Sequence, residues 1–359
     1  MGSELNEAPA VKVTVIVACR NEIGHIREFL ESLLTQDMTG ISWEGIIADG
    51  ESEDGTREFL EVYTAQHPEL RVVLNPGRIV STGLNAAIGM ARGEVIIRMD
   101  AHTSYAPDYC RRCVEELERR GADNVGGPAR TRATGARARA VAAAYHSRFS
   151  TGGARFHDVD YEGWVDTVPY GCWRKATLVK IGLFDESLVR NQDDELNLRL
   201  QRVGGRIWQS PLIVSWYTPR PTLSSLFRQY FQYGFWKVAV IRKHWLPASW
   251  RHIVPIAFVL ANILFPAGMV ITRTLGARPW FAVSSVLWFS MTGLYAAGLL
   301  VASLLAARRN GWGTLPHLPA VFTTYHLSYG LGFLAGLRWY LSNPTPKSCL
   351  SPVFTRISR

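Results

Sequence analysis

No acidic residue occurs after Glu195 in this chain of 359 residues. All 30 Asp and Glu lie in the first 195 positions with 22 of the 39 Lys and Arg, and the other 17 bases stand without acids in the last 164. The net charge of +9 is thus the balance of a part near −8 and a part of +17. Surfaces that face water mix both signs, so the two parts expect different solvents. "HIVPIAFVLANILFPAGMVIT" (252–272) and "WFAVSSVLWFSMTGLYAAGLLVASLLAA" (280–307) contain no Asp, Glu, Lys or Arg. Each is long enough to cross a hydrocarbon core about 30 Å thick as a helix. A third stretch, "LPAVFTTYHLSYGLGFLAGL" (318–337), is uncharged with His326 neutral but carries Thr, Ser and Tyr hydroxyls. It reads either as a span or as a partly re-entrant segment, which leaves two or three spans.

Arg228, Lys237, Arg242, Lys243 and Arg251 precede the first of these stretches, as the positive-inside tendency requires. Residues 1–10 are polar, and the first apolar run, "VKVTVIVA", is too short for a secretory leader. The expectation is a multi-pass protein of the cell membrane, with the acidic part cytoplasmic and membrane lipids as partners. A nucleic-acid partner is excluded, because the positive charge belongs to the membrane half. The five cysteines are an odd number and stay reduced in that compartment. "CRRC" (110–113) has no second pair and sits in a helical pattern, which favours helix packing over metal or redox chemistry.

The acidic part alternates strand and helix patterns. "VKVTVIVA" precedes "GHIREFLESLLTQ", "EGIIAD" precedes "GTREFLEVYTAQ", "RVVLN" precedes "STGLNAAIGMAR", and "EVIIRMD" precedes "APDYCRRCVEELERR". Strands separated by such helices imply an α/β fold, with right-handed crossovers and a mostly parallel sheet covered on both faces. Ligands bind such sheets at the carboxyl ends of the strands. Three loops there, "ACRNE" (18–22), "ADGESEDGT" (48–56) and "MDAH" (99–102), hold Glu22, Asp49, Glu51, Glu53, Asp54 and Asp100. An edge this acidic suits a cation, the NH groups of a nucleobase, or both.

Further along, "ARTRATGARARAVAAAYHSRF" is basic and partly helical, and "STGGARFHDVDYEGW" has the composition of a mobile lid. "DDELNLRLQRVGG" reads as a helix with acids in its first turn and Gly204 at its end. "TLSSLFRQYFQYGFWKVAVIRKHW" (222–245) reads as a helix lying in the membrane interface. The expected organisation is a cytoplasmic catalytic domain over 1–220, an amphipathic interface segment over 221–250, membrane helices over 251–341 and a tail over 342–359.

Asp100 and His102, two apart at a strand end, can meet one hard or borderline divalent ion where the chain turns, or they are a polar turn and no more. "NQDDEL" (191–196) places Asp193 and Asp194 at a helix start, where one can serve as a base or both can simply complement the helix dipole.

Taken in order, "VIVACRNE", "ADGESEDGT", "GLNAAIGMARGEVIIRMDAH", "DTVPYGCWRK", "FDESLVRNQDDELNLRL" and "QYFQYGFWK" resemble glycosyltransferase family 2, inverting enzymes of the GT-A nucleotide-diphospho-sugar transferase fold. The chain is most similar to membrane-bound exopolysaccharide glycosyltransferases of the succinoglycan type, over about residues 11–240. The resemblance implies that Ala18, Arg20 and Glu22 line the nucleotide pocket, that Asp49 bonds the base, and that Arg78 approaches the diphosphate. Asp100 and His102 take the place of the family's DxD, Asp100 also facing the sugar nucleotide, with Mn2+ or Mg2+ as the metal. Asp193 aligns with the catalytic base, and Asp194 is the second choice. Gly171, Cys172 and Trp173 border the acceptor. "QYFQYGFWK" stands where processive relatives carry QxxRW, so Gln229, Gln232 and Trp236 are candidates for the acceptor side, Trp236 equally for an interface anchor. The Arg-Trp pair is absent, which favours transfer of single sugars.

The implied activity is transfer of a hexose from a nucleotide sugar, a UDP-sugar before others, to a lipid-linked or glycan acceptor. The rival readings are transfer to polyprenyl phosphate, and a catalytically silent subunit that senses nucleotide sugars.

Overall fold

A computed structural model of the chain describes residues 11–245 and 250–343. Two compact units emerge, Met1–Arg130 with Asp158–Thr218, and Thr131–His157 with Pro219–Arg359. The backbone therefore passes between units three times, and residues 131–157, grouped with the catalytic part by sequence, belong to the helical unit. The tail expected over 342–359 lies outside the described residues from 344 onward.

The first unit opens with β1 (Val13–Cys19), α1 (Ile26–Leu34), β2 (Trp43–Asp49), α2 (Thr56–Thr64), β3 (Leu70–Leu74), α3 (Val80–Met90) and β4 (Val95–Met99). It continues with β5 (Thr103–Tyr105), α4 (Tyr109–Arg120), β6 (Asn124–Gly126) and β7 (Arg130–Thr131), where the chain leaves. After α5 (Ala136–Tyr145) and α6 (Arg148–Thr151) of the second unit, it resumes with β8 (Gly163–Val165), β9 (Cys172–Arg174), α7 (Lys175–Ile181), α8 (Gln192–Arg202), β10 (Ile207–Gln209) and β11 (Ser215–Tyr217). Among the described residues one sheet has eight strands in the order β3-β2-β1-β4-β9-β6-β10-β8. The β3-β2-β1-β4 half is parallel, as the alternating pattern requires, and β9 runs antiparallel to both β4 and β6.

Alternation along β1 builds two cores at once. Val13, Val15, Val17 and Cys19 face Ile26, Leu30 and Leu33 of α1 and Cys110, Cys113 and Leu117 of α4. Ile16 faces the other way, toward Leu84, Ala87 and Ile88 of α3. Register then aligns the strand ends. Cys19 lies opposite Asp49 on β2, and Val17 lies opposite Met99 on β4. The loops after β1, β2 and β4 thereby open at one edge.

The second unit holds α5, α6, α9 (Leu223–His244), α10 (Val254–Thr274), α11 (Arg278–Asn310) and α12 (Leu318–Ser342). Two of these helices, α10 and α11, are long and apolar enough to cross a membrane, and large side chains such as Leu264, Val270 and Leu294 stand exposed along them. The third uncharged stretch is α12, whose Leu318, Val321, Phe322 and Tyr325 pack with Ala140, Val141 and Ala144 of α5 and Ala302, Ala306 and Ala307 of α11. Part of the expected lid forms helix α6 here, and another part forms strand β8 of the first unit.

Helix α9, the segment expected to lie in the membrane interface, packs one face inside its own unit. Gln232, Phe235, Trp236, Lys237 and Val240 are all buried, because α9 lies against a glycine-lined face of α12. A Cβ on Gly332 would stand 2.0 Å from the Phe231 carbonyl oxygen, and one on Gly234 would stand 2.1 Å from that of Tyr329. Backbones this close leave no room for a methyl group. Gly332→Ala and Gly234→Ala should each cost about 1–3 kcal/mol through overpacking, read as a lower melting temperature of the detergent-purified protein. An unchanged melting curve for both would refute the close crossing.

Candidate active site

The loops after β1 and β2 are stitched together side by side. Asn21, left-handed at φ 56°, donates its N–H to Ser52 Oγ (2.9 Å) and accepts at Oδ1 from Glu53 N (2.9 Å). Glu22 N donates to Thr56 Oγ1 (2.9 Å) and Ile23 N to Asp54 Oδ2 (3.1 Å). Ser52 in turn donates its hydroxyl to Asp49 Oδ1 (2.6 Å) and its N–H to Oδ2 (3.2 Å). Asp49 is thus buried and capped. Ala18 is backed by Gly83 of α3, where a Cβ would come within 3.0 Å of its own, and the Arg20 side chain covers Gly50. Arg78 is paired with Glu51, and both residues adopt left-handed backbone.

Strand β4 supplies the other half. Arg98 and Asp100 are two apart, so they share a side of the strand's line. Arg98 is only 4% exposed, inside a strand whose other members are Val95, Ile96, Ile97 and Met99. Its Nη2 lies 3.2 Å from Asp100 Oδ1, and its Nη1 is ion-paired with Oδ1 of Asp193 in the first turn of α8. One guanidinium therefore bridges two carboxylates from separate elements. The loop is braced around it. Asp100 N donates to Tyr105 Oη (2.7 Å), Thr103 Oγ1 and Tyr170 Oη share a hydrogen bond of 2.7 Å, and Arg98 N donates to the Gly171 carbonyl (3.1 Å).

A third of the Asp193 side chain still reaches solvent, yet its surroundings push its pKa up to about 6. Burial is the main cause, Arg98 opposes it, and the Asp100 and Asp194 charges add to it. The two Asp neighbours raise the Arg98 pKa above its ordinary value in spite of burial. Burial pushes the Tyr105 and Tyr170 hydroxyls up as well.

His102 is exposed, with Nδ1 3.5 Å from Glu22 Oε1. Among the described residues no three His, Cys, Asp or Glu gather as a ligand set. Asp100 and His102 still suit a Mg2+- or Mn2+-like ion, since such ions take one or two protein donors and complete their shell from phosphate and water. A carboxylate that accepts from arginine keeps lone pairs for a metal.

The structure brings Asp49, Glu22 and His102 to one edge and joins Asp100 to Asp193 through Arg98. Asp194 follows Asp193 in the same helical turn, while Glu195 is buried and held by Arg199. The side chains of Cys172 and Trp173 are buried in the cores on opposite faces of the sheet, because β9 is an interior strand; their backbones pair with Ile97 and Ile96 of β4, and the Gly171 carbonyl accepts from Arg98 N. Gln229, Gln232 and Trp236 lie on α9 in the second unit, and Gln232 and Trp236 are buried there. The sequence reading missed Arg98, although a charged residue inside the apolar run "VIIRM" was its signal. Asn21, Ser52, Tyr105 and Tyr170 gave none, since nothing local marks a residue that pairs across loops.

A family model described as "Glycosyl transferase family 2" matches residues 14–174. The chain is 32% identical over 332 residues to the succinoglycan biosynthesis protein ExoA of Rhizobium meliloti (strain 1021), covering 91% of this chain and 96% of that protein. It is 24% identical over 333 residues to the dolichyl N-acetyl-alpha-D-glucosaminyl phosphate 3-beta-D-2,3-diacetamido-2,3-dideoxy-beta-D-glucuronosyltransferase of Methanococcus voltae, covering 90% of this chain and 97% of that one. Among solved structures, the mannosyltransferase PcManGT from Pyrobaculum calidifontis in complex with GDP-Man and Mn2+ aligns at a TM-score of 0.55 and 20% identity, covering 89% of this chain and 86% of that one. That likeness carries the GT-A fold. The extent of the match to ExoA, nearly end to end in both chains, settles the family: the chain belongs to glycosyltransferase family 2.

Proposed function

We propose that the protein is an inverting glycosyltransferase of exopolysaccharide or envelope-glycan synthesis that moves a hexose from a nucleotide sugar, a UDP-sugar before others, to a lipid-linked or glycan acceptor. Helices α10 and α11 anchor it in the cell membrane, with the catalytic unit cytoplasmic. The observation that carries the chemistry is Asp193 facing the strand-end Asp100 across Arg98. Asp193 takes the proton of the acceptor hydroxyl while its oxygen bonds the anomeric carbon. The bond from that carbon to the diphosphate breaks with its electron pair on the leaving group, and the single displacement inverts the centre. With a pKa of about 6, Asp193 is ionised at neutral pH and is a stronger base than an ordinary Asp.

Ala18, Arg20, Glu22 and Asp49 form the nucleotide side of this reading, and Arg78 reaches the diphosphate by exchanging Glu51 for it. Asp100 and His102 would hold a divalent ion, which when bound supplies charge to neutralise the leaving diphosphate. Support for a lipid-linked acceptor comes from the archaeal relative, whose name specifies a dolichyl-linked sugar phosphate. Polyprenyl phosphate itself is the competing acceptor, favoured by Arg228, Lys237, Arg242 and Lys243 on one acid-free helix.

The deciding experiment incubates the detergent-purified full chain with a panel of UDP- and GDP-sugars, with Mn2+ or Mg2+, and with polyprenyl phosphate or lipid-linked sugar as acceptor. Release of the nucleoside diphosphate is measured, and no release from any donor would sink the reading. Asp193→Asn should lower turnover about 10²–10⁴-fold; the same loss in Asp194→Asn instead would move the base to Asp194. Because the base must be ionised, the rate should be level above pH 7 and fall about tenfold per unit below about pH 6. A rate that holds flat down to pH 5 would exclude Asp193.

A further inference from the structure

Arg98 has no part in the family resemblance, yet it is a buried cation at this edge. The groups around its guanidinium are Asp100 on its own strand, Asp193 from α8, and the Tyr170 ring with its centroid 6.0 Å away. Glu195, one turn-mate of Asp193, is taken by Arg199. Asp193 uses Oδ1 for Arg98, and its Oδ2 has no protein partner among the described residues, on a side chain that remains one-third exposed. A carboxylate held by one oxygen and open at the other is oriented like a base awaiting a hydroxyl.

We propose that Arg98 is a positioning residue of the transfer reaction. Its guanidinium fixes Asp193 through one oxygen so that the other meets the acceptor, and it ties that base to the donor-side Asp100. The arrangement explains a buried arginine in the middle of an apolar strand. A rigid planar fork can serve two carboxylates at fixed spacing, which a lysine ammonium on a flexible stem does not. Holding the base by a strand in the sheet's centre sets its distance to the reacting carbon, where small misplacements carry large rate penalties.

The inference rests on the glycosyl-transfer reading and is tested by a double-mutant cycle on turnover in the full chain. Arg98→Ala should lower kcat about a hundredfold while the donor KM stays within about threefold. In the Asp193→Asn background the same substitution should cost less than about threefold, since residues that act as a unit are lost together. Equal losses in both backgrounds, or a loss confined to donor KM, would overturn the assignment. Should Arg98→Ala fail to fold, Arg98→Lys enters the same cycle, keeping the charge and removing the fork, with the same outcomes. A wild-type chain that turns over no nucleotide sugar overturns the transfer reading and this assignment with it, whereas equal losses overturn the assignment alone.

Discussion

A guanidinium shared by two carboxylates inside the sheet's central region is the interaction on which the site depends. Removing a cation and its partners from water costs several kcal/mol per ion before any attraction is counted. Arg98 recovers that cost only because Asp100 and Asp193 arrive at once, from a strand end and a helix start. Everything nearby serves that meeting. Tyr105 receives the Asp100 amide, the Gly171 carbonyl receives the Arg98 amide, and the Tyr170 ring lines the remaining side.

That meeting is possible because strand register has already fixed the edge. Parallel pairing sets Cys19 level with Asp49 and Val17 level with Met99, and the loops after β1 and β2 bind each other through Asn21 and Ser52. The carboxylates therefore do not float as solvated tips. Asp49 and Glu51 are committed to Ser52 and Arg78, which keeps an acidic surface from tearing its own loops apart.

What could be read from the sequence follows from the range of the forces involved. Periodicity and strand-end polarity are local, so the β1 to β4 half of the sheet and its acidic edge were legible, together with the Asp100, His102 and Asp193 segments. Interior position is not local. Family resemblance places Cys172 and Trp173 beside the acceptor, and only the tertiary fold shows their strand β9 between β4 and β6. Which residues of α9 pack inside its unit is set by the glycines of α12, far along the chain. Arg98 sits between these cases, visible as an anomaly but without a partner until α8 is brought over the sheet.

The threefold passage of the backbone between units bears on how a soluble fragment can be obtained. A chain ended at Thr218 would retain residues 131–157 while losing α11 and α12, stranding Ala140, Val141, Ala143 and Ala144 without cover. Such a piece invites aggregation for reasons unrelated to the sheet. Excising the excursion is the sounder route. The Arg130 side chain reaches the Val159 carbonyl, Nη2 to O 3.2 Å, which brings the two cut ends within span of a short glycine-serine bridge that would separate the first unit from the second.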